Sequence, residues 1–184
     1  IMISLICSNV FGQTINRYGT TAANFLEIGV GSRATSMGDA YVAVANDVSS
    51  IYWNPAGLSN VSNSSALFMV QPWLVDIDML FAGGAVVVPN VGVLGLGITH
   101  LDYGEMDVTN LEYQDGTGER FGASDMAATF TFSRKIVSWF SFGSSMKYIS
   151  SNIWHSSASA FAVDLGVLVN TKFFSFTGND KDGM

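Results

Sequence analysis

Four stretches of the chain alternate, residue by residue, between large apolar side chains and very small ones. This limits the possible folds more than any other feature of the sequence. Leu94, Leu96 and Ile98 alternate with Gly95, Gly97 and Thr99, and Met126, Ala128, Phe130 and Phe132 with Ala127, Thr129, Thr131 and Ser133. Phe140, Phe142, Met146 and Tyr148 stand against Ser141, Gly143, Ser145 and Lys147. Phe161, Val163, Leu165, Val167 and Val169 stand against Ala160, Ala162, Asp164, Gly166 and Asn170. Successive side chains of a strand point to opposite faces, so each stretch reads as a strand with one bulky apolar face and one small, mildly polar face. The apolar runs near 66–73 and 78–88 alternate less cleanly and are read as two further strands.

The small face decides between two β architectures. A soluble sandwich turns its apolar faces together and clothes the outer faces in Lys, Glu and Arg. Here the second face is Gly, Ala, Ser and Thr, in a chain with 48% hydrophobic and only 12% charged residues. No window holds the roughly 18 consecutive apolar residues that a membrane helix requires. A transmembrane barrel satisfies both facts, because its bulky face meets lipid and its small face surrounds an interior. The expected fold is all-β: an antiparallel transmembrane outer-membrane β-barrel, represented by about six strands over residues 66–184. Frequent glycine (19) and rare proline (3) suit tight turns and long ladders. Tyr103, Trp139, Tyr148 and Trp154 fall near the expected strand ends, as in an aromatic girdle, the alternative being ordinary strand aromatics.

The connections also carry information. Pro89–Gly92 and Lys135–Val137 read as tight turns, whereas Gly104–Phe121 is long and acidic and Ser151–Ser157 is longer and polar. Outer-membrane barrels keep short turns on the periplasmic side and long loops outside. By this parity the segment before Ala66 lies on the periplasmic side, with the first strand running outward and the sixth running back. Six strands fall short of the roughly eight that close the smallest single-chain barrels, so the sequence is expected to be a fragment.

Residues 13–65 differ in character: small residues dominate, and the pattern is one of short helices and turns. Asp47 or Ser49 is placed to cap a short helix through Tyr52, which Pro55 ends, leaving Asn54 extended. Residues 1–12 read as the end of a secretory signal peptide, with cleavage near Gly12/Gln13 and without its basic n-region. Cys7 falls inside that leader.

The run Asn24–Ala34, then Met37-Gly38-Asp39-Ala40, Asn46-Asp47 and Tyr52-Trp53-Asn54-Pro55-Ala56-Gly57-Leu58, resembles the PorV/PorQ family of the FadL-like group of outer-membrane barrels. Gly116–Gly118, Phe121–Asp125, Lys147–Ile149 and Ala162–Gly166 also look like that family. The resemblance implies a barrel of about fourteen strands, even-numbered as such barrels are. It further implies that the segment up to about Leu58 is a plug, or hatch, folded into the lumen. Members occur in Bacteroidota-type bacteria, and some serve the type IX secretion system, shuttling or holding secreted cargo at the outer membrane. More distant FadL-like relatives pass hydrophobic small molecules.

Within this frame Asn54, Pro55, Ala56 and Gly57 are expected to fix the hatch: Asn54 by side-chain hydrogen bonds, Pro55 by stiffness and Gly57 by close packing to the wall. The alternative is a plain helix-ending turn. Lys147 and Asp164 share the small face of sequential strands and are expected either to pair in the lumen or to stand solvated there. The acidic connection 104–121 either meets an outer partner or is solvated surface. The expected function is help in protein secretion or cargo handling, the alternatives being a channel for hydrophobic small molecules and a structural outer-membrane protein without transport. The expected partners are outer-membrane lipid and either secretion-system proteins with their cargo or hydrophobic small molecules.

Other functions find no support in the residues. A formal net charge of −7 disfavours nucleic acid. His100 and His155 lack partners at ligand spacing, Gly29-Val30-Gly31 lacks the third glycine of a dinucleotide loop, and Ser144 and Ser145 have no nearby base. An enzyme is therefore not expected, nor a cofactor or metal.

Overall fold

The computed structural model describes residues 22–170. The expected signal peptide at residues 1–12, with Cys7, lies outside that range. Six strands form one antiparallel meander in which each strand pairs with its neighbours in sequence. They are β1 (Ser65–Pro72), β2 (Asp78–Val88), β3 (Gly92–Asp107), β4 (Arg120–Val137), β5 (Phe140–Ile153) and β6 (Ser156–Val169). Among the described residues β1 and β6 do not pair with each other, so the sheet is open.

Ahead of the sheet lie four short pieces: a 3-10 turn Asn24–Glu27, helix α1 (Ser32–Ser36), helix α2 (Ser50–Trp53) and a 3-10 turn Pro55–Asn60. The Asp47 carboxylate accepts the Ser49 N–H at 2.9 Å and so starts the turn into α2. Asn54 is extended at φ −156°, as the following proline demands.

This N-terminal segment packs on one face of the sheet, hereafter the inner face. The inner face is the small one. Thr131 and Ser133 are fully buried, whereas Leu96, Phe130 and Val163 on the other face are 66%, 49% and 69% exposed. At the loop end of the segment Phe25 is buried against Met79, Phe81 and Leu101 of β2 and β3, with Ala127 and Ile149 beside them. Nearer the tight turns Ile51 and Leu58 fill the space over Val48, Ala85 and Val93. Leu168 departs from the small-residue pattern of β6, being a large residue buried on the inner face.

The connections differ from the sequence expectation in three respects, and the aromatic girdle in a fourth. Ser151–Ser157 is not a longer loop: β5 continues to Ile153 and β6 starts at Ser156, leaving a two-residue turn, Trp154-His155. The serines looked loop-like, yet both ladders run through them. Lys135–Val137 belongs to β4, and the tight turn is Ser138-Trp139. The long acidic connection shrinks to residues 108–119, because β3 runs to Asp107 and β4 begins at Arg120. Arg120 joins Glu105 and Asp107 across the ladder at 3.0 Å each, which makes charged strand ends compatible with pairing. Gly104, at φ +71°, sits in a register shift of β3. Finally, Tyr103 faces inward and donates to Asp125 at 2.7 Å, and Tyr148 lies mid-strand, so only Trp139 and Trp154 occupy strand ends.

Because Phe25 is surrounded by side chains of both the segment and the wall, Phe25→Ala should lower unfolding stability by about 3–5 kcal/mol, the usual cost of emptying an aromatic core site. Denaturant titration of the refolded protein followed by tryptophan fluorescence would read the shift.

Candidate functional site: an N-terminal segment seated on the small-residue face

The contact between the N-terminal segment and the wall is centred on Asn54-Pro55-Ala56-Gly57, all buried. The Asn54 carboxamide oxygen accepts the Ala56 N–H at 3.0 Å, and its backbone carbonyl accepts the Gly57 N–H at 2.9 Å. Its amide nitrogen donates to the Val42 carbonyl at 3.0 Å and to the Val167 carbonyl of β6 at 3.3 Å. One side chain thus folds the turn, ties it to the rest of the segment and ties the segment to the wall. The Ala56 carbonyl accepts the Ser59 hydroxyl of its own turn at 2.8 Å and also the Ser133 hydroxyl of β4 at 3.1 Å, which ties the turn to the sheet.

The wall is shaped to receive this turn. Ser133, Gly143 and Gly166 are cross-strand neighbours on β4, β5 and β6. A methyl group at Gly143 would overlap the backbone of Pro55 and Ala56, and one at Gly166 would overlap the Asn54 carboxamide and the Pro55 ring. On β3, Gly95 and Gly97 make the same room for Ile51 and Leu58. Gly57 differs from its expected role: its close neighbour is the Ala45 carbonyl inside the segment, so it permits internal folding, while the wall's own glycines permit the approach.

The segment is held together by further polar contacts. The Tyr52 hydroxyl donates to the Leu26 and Ile28 carbonyls, and the Trp53 indole donates to the Val30 carbonyl at 2.8 Å. Tyr41 donates to Asp47 at 3.1 Å, and the Arg33 guanidinium lies 5.3 Å over the Tyr41 ring. Burial, with Asp39 and Glu27 nearby, raises the Tyr52 phenol well above its ordinary value. Burial and then Asp47 raise that of Tyr41. Both hydroxyls therefore stay neutral and act as donors.

Lys147 and Asp164 are brought together diagonally across β5 and β6, Nζ to Oδ2 at 2.7 Å. Lys147 is 13% exposed and Asp164 38%. The pair lines a cleft of about 370 Å³ with Tyr52, Trp53, Asn54 and Pro55. Next to it the Thr131 and Ser145 hydroxyls pair at 2.7 Å. Among the described residues no three His, Cys, Asp or Glu side chains cluster as a metal site would require. His155 stacks on Trp154 in its turn, and His100 Nδ1 lies 3.1 Å from the Asp125 carbonyl. The sequence singled out the Asn54–Gly57 turn and the ion pair, but not their seat. The smallness of Ser133, Gly143 and Gly166 was visible, and their register was not. No family model and no curated protein matches the chain.

Three outcomes follow from this geometry. Gly143→Val should unseat the turn, read as faster proteolysis between residues 24 and 60 with the strands intact, whereas Ser144→Val on the opposite face should not. Lys147→Met and Asp164→Asn should each destabilise, with a double-mutant coupling of about 1 kcal/mol for this partly exposed pair. The unfolded chain releases the Tyr52 proton near the ordinary tyrosine value of 10.0 while the folded chain keeps it. Stability should therefore be flat below that pH and fall above it, and Tyr52→Phe should flatten the alkaline slope in a pH-resolved denaturation series.

Proposed function

We propose that this chain forms part of the wall of a bacterial outer-membrane β-barrel, with the segment ahead of β1 as its plug, and that the barrel assists protein secretion or holds secreted cargo at that membrane, as the PorV/PorQ-type proteins it resembles do. The observation that carries the reading is the inverted sheet. The glycine, serine and threonine face is the covered one, and the phenylalanine, leucine and valine face is bare. Soluble monomers rarely leave a contiguous apolar patch larger than a few hundred Å² in water, whereas lipid requires such a face. Unpaired strand edges at β1 and β6 are not tolerated in lipid, so the membrane form needs further strands to close it.

Two features favour a protein cargo over a greasy solute. The cleft beside the plug is lined by the Lys147–Asp164 ion pair, a poor lining for a hydrophobic molecule. The β3–β4 hairpin projects well past its neighbours and ends in a twelve-residue connection spanning 108–119, which offers polar surface to a protein partner. A channel for hydrophobic small molecules is the second reading. It is favoured by Met37, Val42 and Val44, apolar side chains exposed on the plug, of which Val42 lines the cleft beside β6.

Deleting the gene in its host separates the two. The leading reading expects secreted proteins to build up in the periplasm and to vanish from the medium. Normal secretion together with impaired uptake of a long-chain fatty acid would replace it with the second. Removal of residues 24–58 from the full-length barrel should raise single-channel conductance in planar bilayers, and unchanged conductance would dismiss the plug.

A further inference from the structure

Resting on the membrane reading above, we infer that the notch between the two tight turns is a seat for the phosphodiester of an anionic phospholipid, held by Arg134 and Lys135 in the leaflet at the turn end.

The notch comes from the ladder. β3 begins at Gly92, and the pairing of β3 with β4 ends at Val93–Ser133. β4 runs on to Val137 before it turns into β5. Residues 134–137 therefore lack a β3 partner, and this open stretch of strand edge meets the β2–β3 turn at Pro89-Asn90-Val91. The Ser59–Ser62 stretch of the N-terminal segment closes another side. Together they bound a cleft of about 420 Å³ to which Arg134 and Lys135 contribute.

Charge singles this cleft out. Every carboxylate of the sheet and its connections lies on the cross-strand row from Ser65 through Thr131 to Asp164, or on its loop side. On the turn side Arg134 and Lys135 are the only charged residues of the described sheet, and no carboxylate lines the cleft. Arg33, Arg120 and Lys147 are each ion-paired, whereas these two have no carboxylate partner among the described residues. Two adjacent, exposed and unpaired cations at one end of an otherwise acidic chain attract an anion there.

The surroundings specify an amphiphile. Arg134 shares the parity of Phe130 and Phe132, so it ends an outward apolar column at the border of the bare face. Val91 lines the same cleft, and Ile136 and Trp139 follow closely in the chain; all three are exposed. A free phosphate would gain nothing from these apolar neighbours. A phospholipid would bring its glycerol and upper acyl chains against them while the guanidinium holds two phosphate oxygens. Asn60 and Asn90 supply side-chain amides for the polar remainder of the headgroup.

The test loads full-length protein in detergent with equal amounts of phosphatidylglycerol and phosphatidylcholine and counts the lipids retained by native mass spectrometry. The unaltered protein should prefer phosphatidylglycerol, and raised ammonium acetate should shrink the preference. Arg134→Gln and Lys135→Gln should each weaken phosphatidylglycerol retention about fivefold, the usual effect of one cation at a membrane surface, and should spare phosphatidylcholine. Arg120→Gln at the loop end should change neither. Equal retention of the two lipids would overturn the inference and leave the membrane reading standing. So would a preference that survives both substitutions or the added salt, or one that inorganic phosphate abolishes at unchanged ionic strength. A protein that stays dissolved without detergent and retains neither lipid would overturn both.

Discussion

The seat of the Asn54–Gly57 turn on Ser133, Gly143 and Gly166 governs how the whole sheet is used. A sheet has two faces, and whichever is covered by its own chain leaves the other for the surroundings. Here the backbone of Pro55 and Ala56 comes so close to β5 that only hydrogen fits at Gly143. Such proximity fixes the small face as the inner one. With register two residues per repeat, the assignment then propagates along every strand, since a slip of one residue would reverse it. The exposure of Leu96, Phe130 and Val163 is a consequence of that contact rather than a separate feature.

Polar groups under the N-terminal segment are matched in a way that supports this arrangement. The Ala56 carbonyl takes the Ser133 hydroxyl, the Val167 carbonyl takes the Asn54 amide, and Thr131 and Ser145 take each other. Among the described residues the Ser50 hydroxyl alone is a buried side-chain polar atom without a partner. Small hydroxyl residues serve such an interior better than alkyl side chains would. They fill little volume, allowing the segment in, and Ser133 adds a donor from the sheet to the Ala56 carbonyl of the 3-10 turn. The Lys147–Asp164 pair extends the same logic to charge, each side chain neutralising the other at the border of the segment.

Much of this was legible in the sequence, because period-two alternation is a local signal. The six strands and the identity of their faces could be read from residues such as Phe161, Val163 and Leu165 against Ala162, Asp164 and Gly166. Strand ends were harder. Glu105, Asp107 and Arg120 look like loop residues until register brings the arginine between the two carboxylates, and Ser156–Ser159 lacks the apolar half of the alternation although it pairs fully. Tyr103 was assigned to a girdle from its nearness to a strand end, but its parity with Leu101 turns it inward to Asp125. The Asn54-Pro55-Ala56-Gly57 turn stood out by composition. Its partners on the wall, up to 113 residues away in the chain, are set by strand pairing and leave no local mark.

The central claim is that the bulky face meets lipid and the small face encloses the plug. Photolabelling of the native protein in intact outer membranes, using a phospholipid with a reactive group on its acyl chain, tests it most directly. Mapped by mass spectrometry, adducts should fall on Leu96, Phe130, Val163 and their outward neighbours and leave Thr131, Ser133 and Ser145 unmodified. A protein recovered soluble without detergent, with no lipid adducts and with those outward residues shielded by a second sheet, would contradict the account.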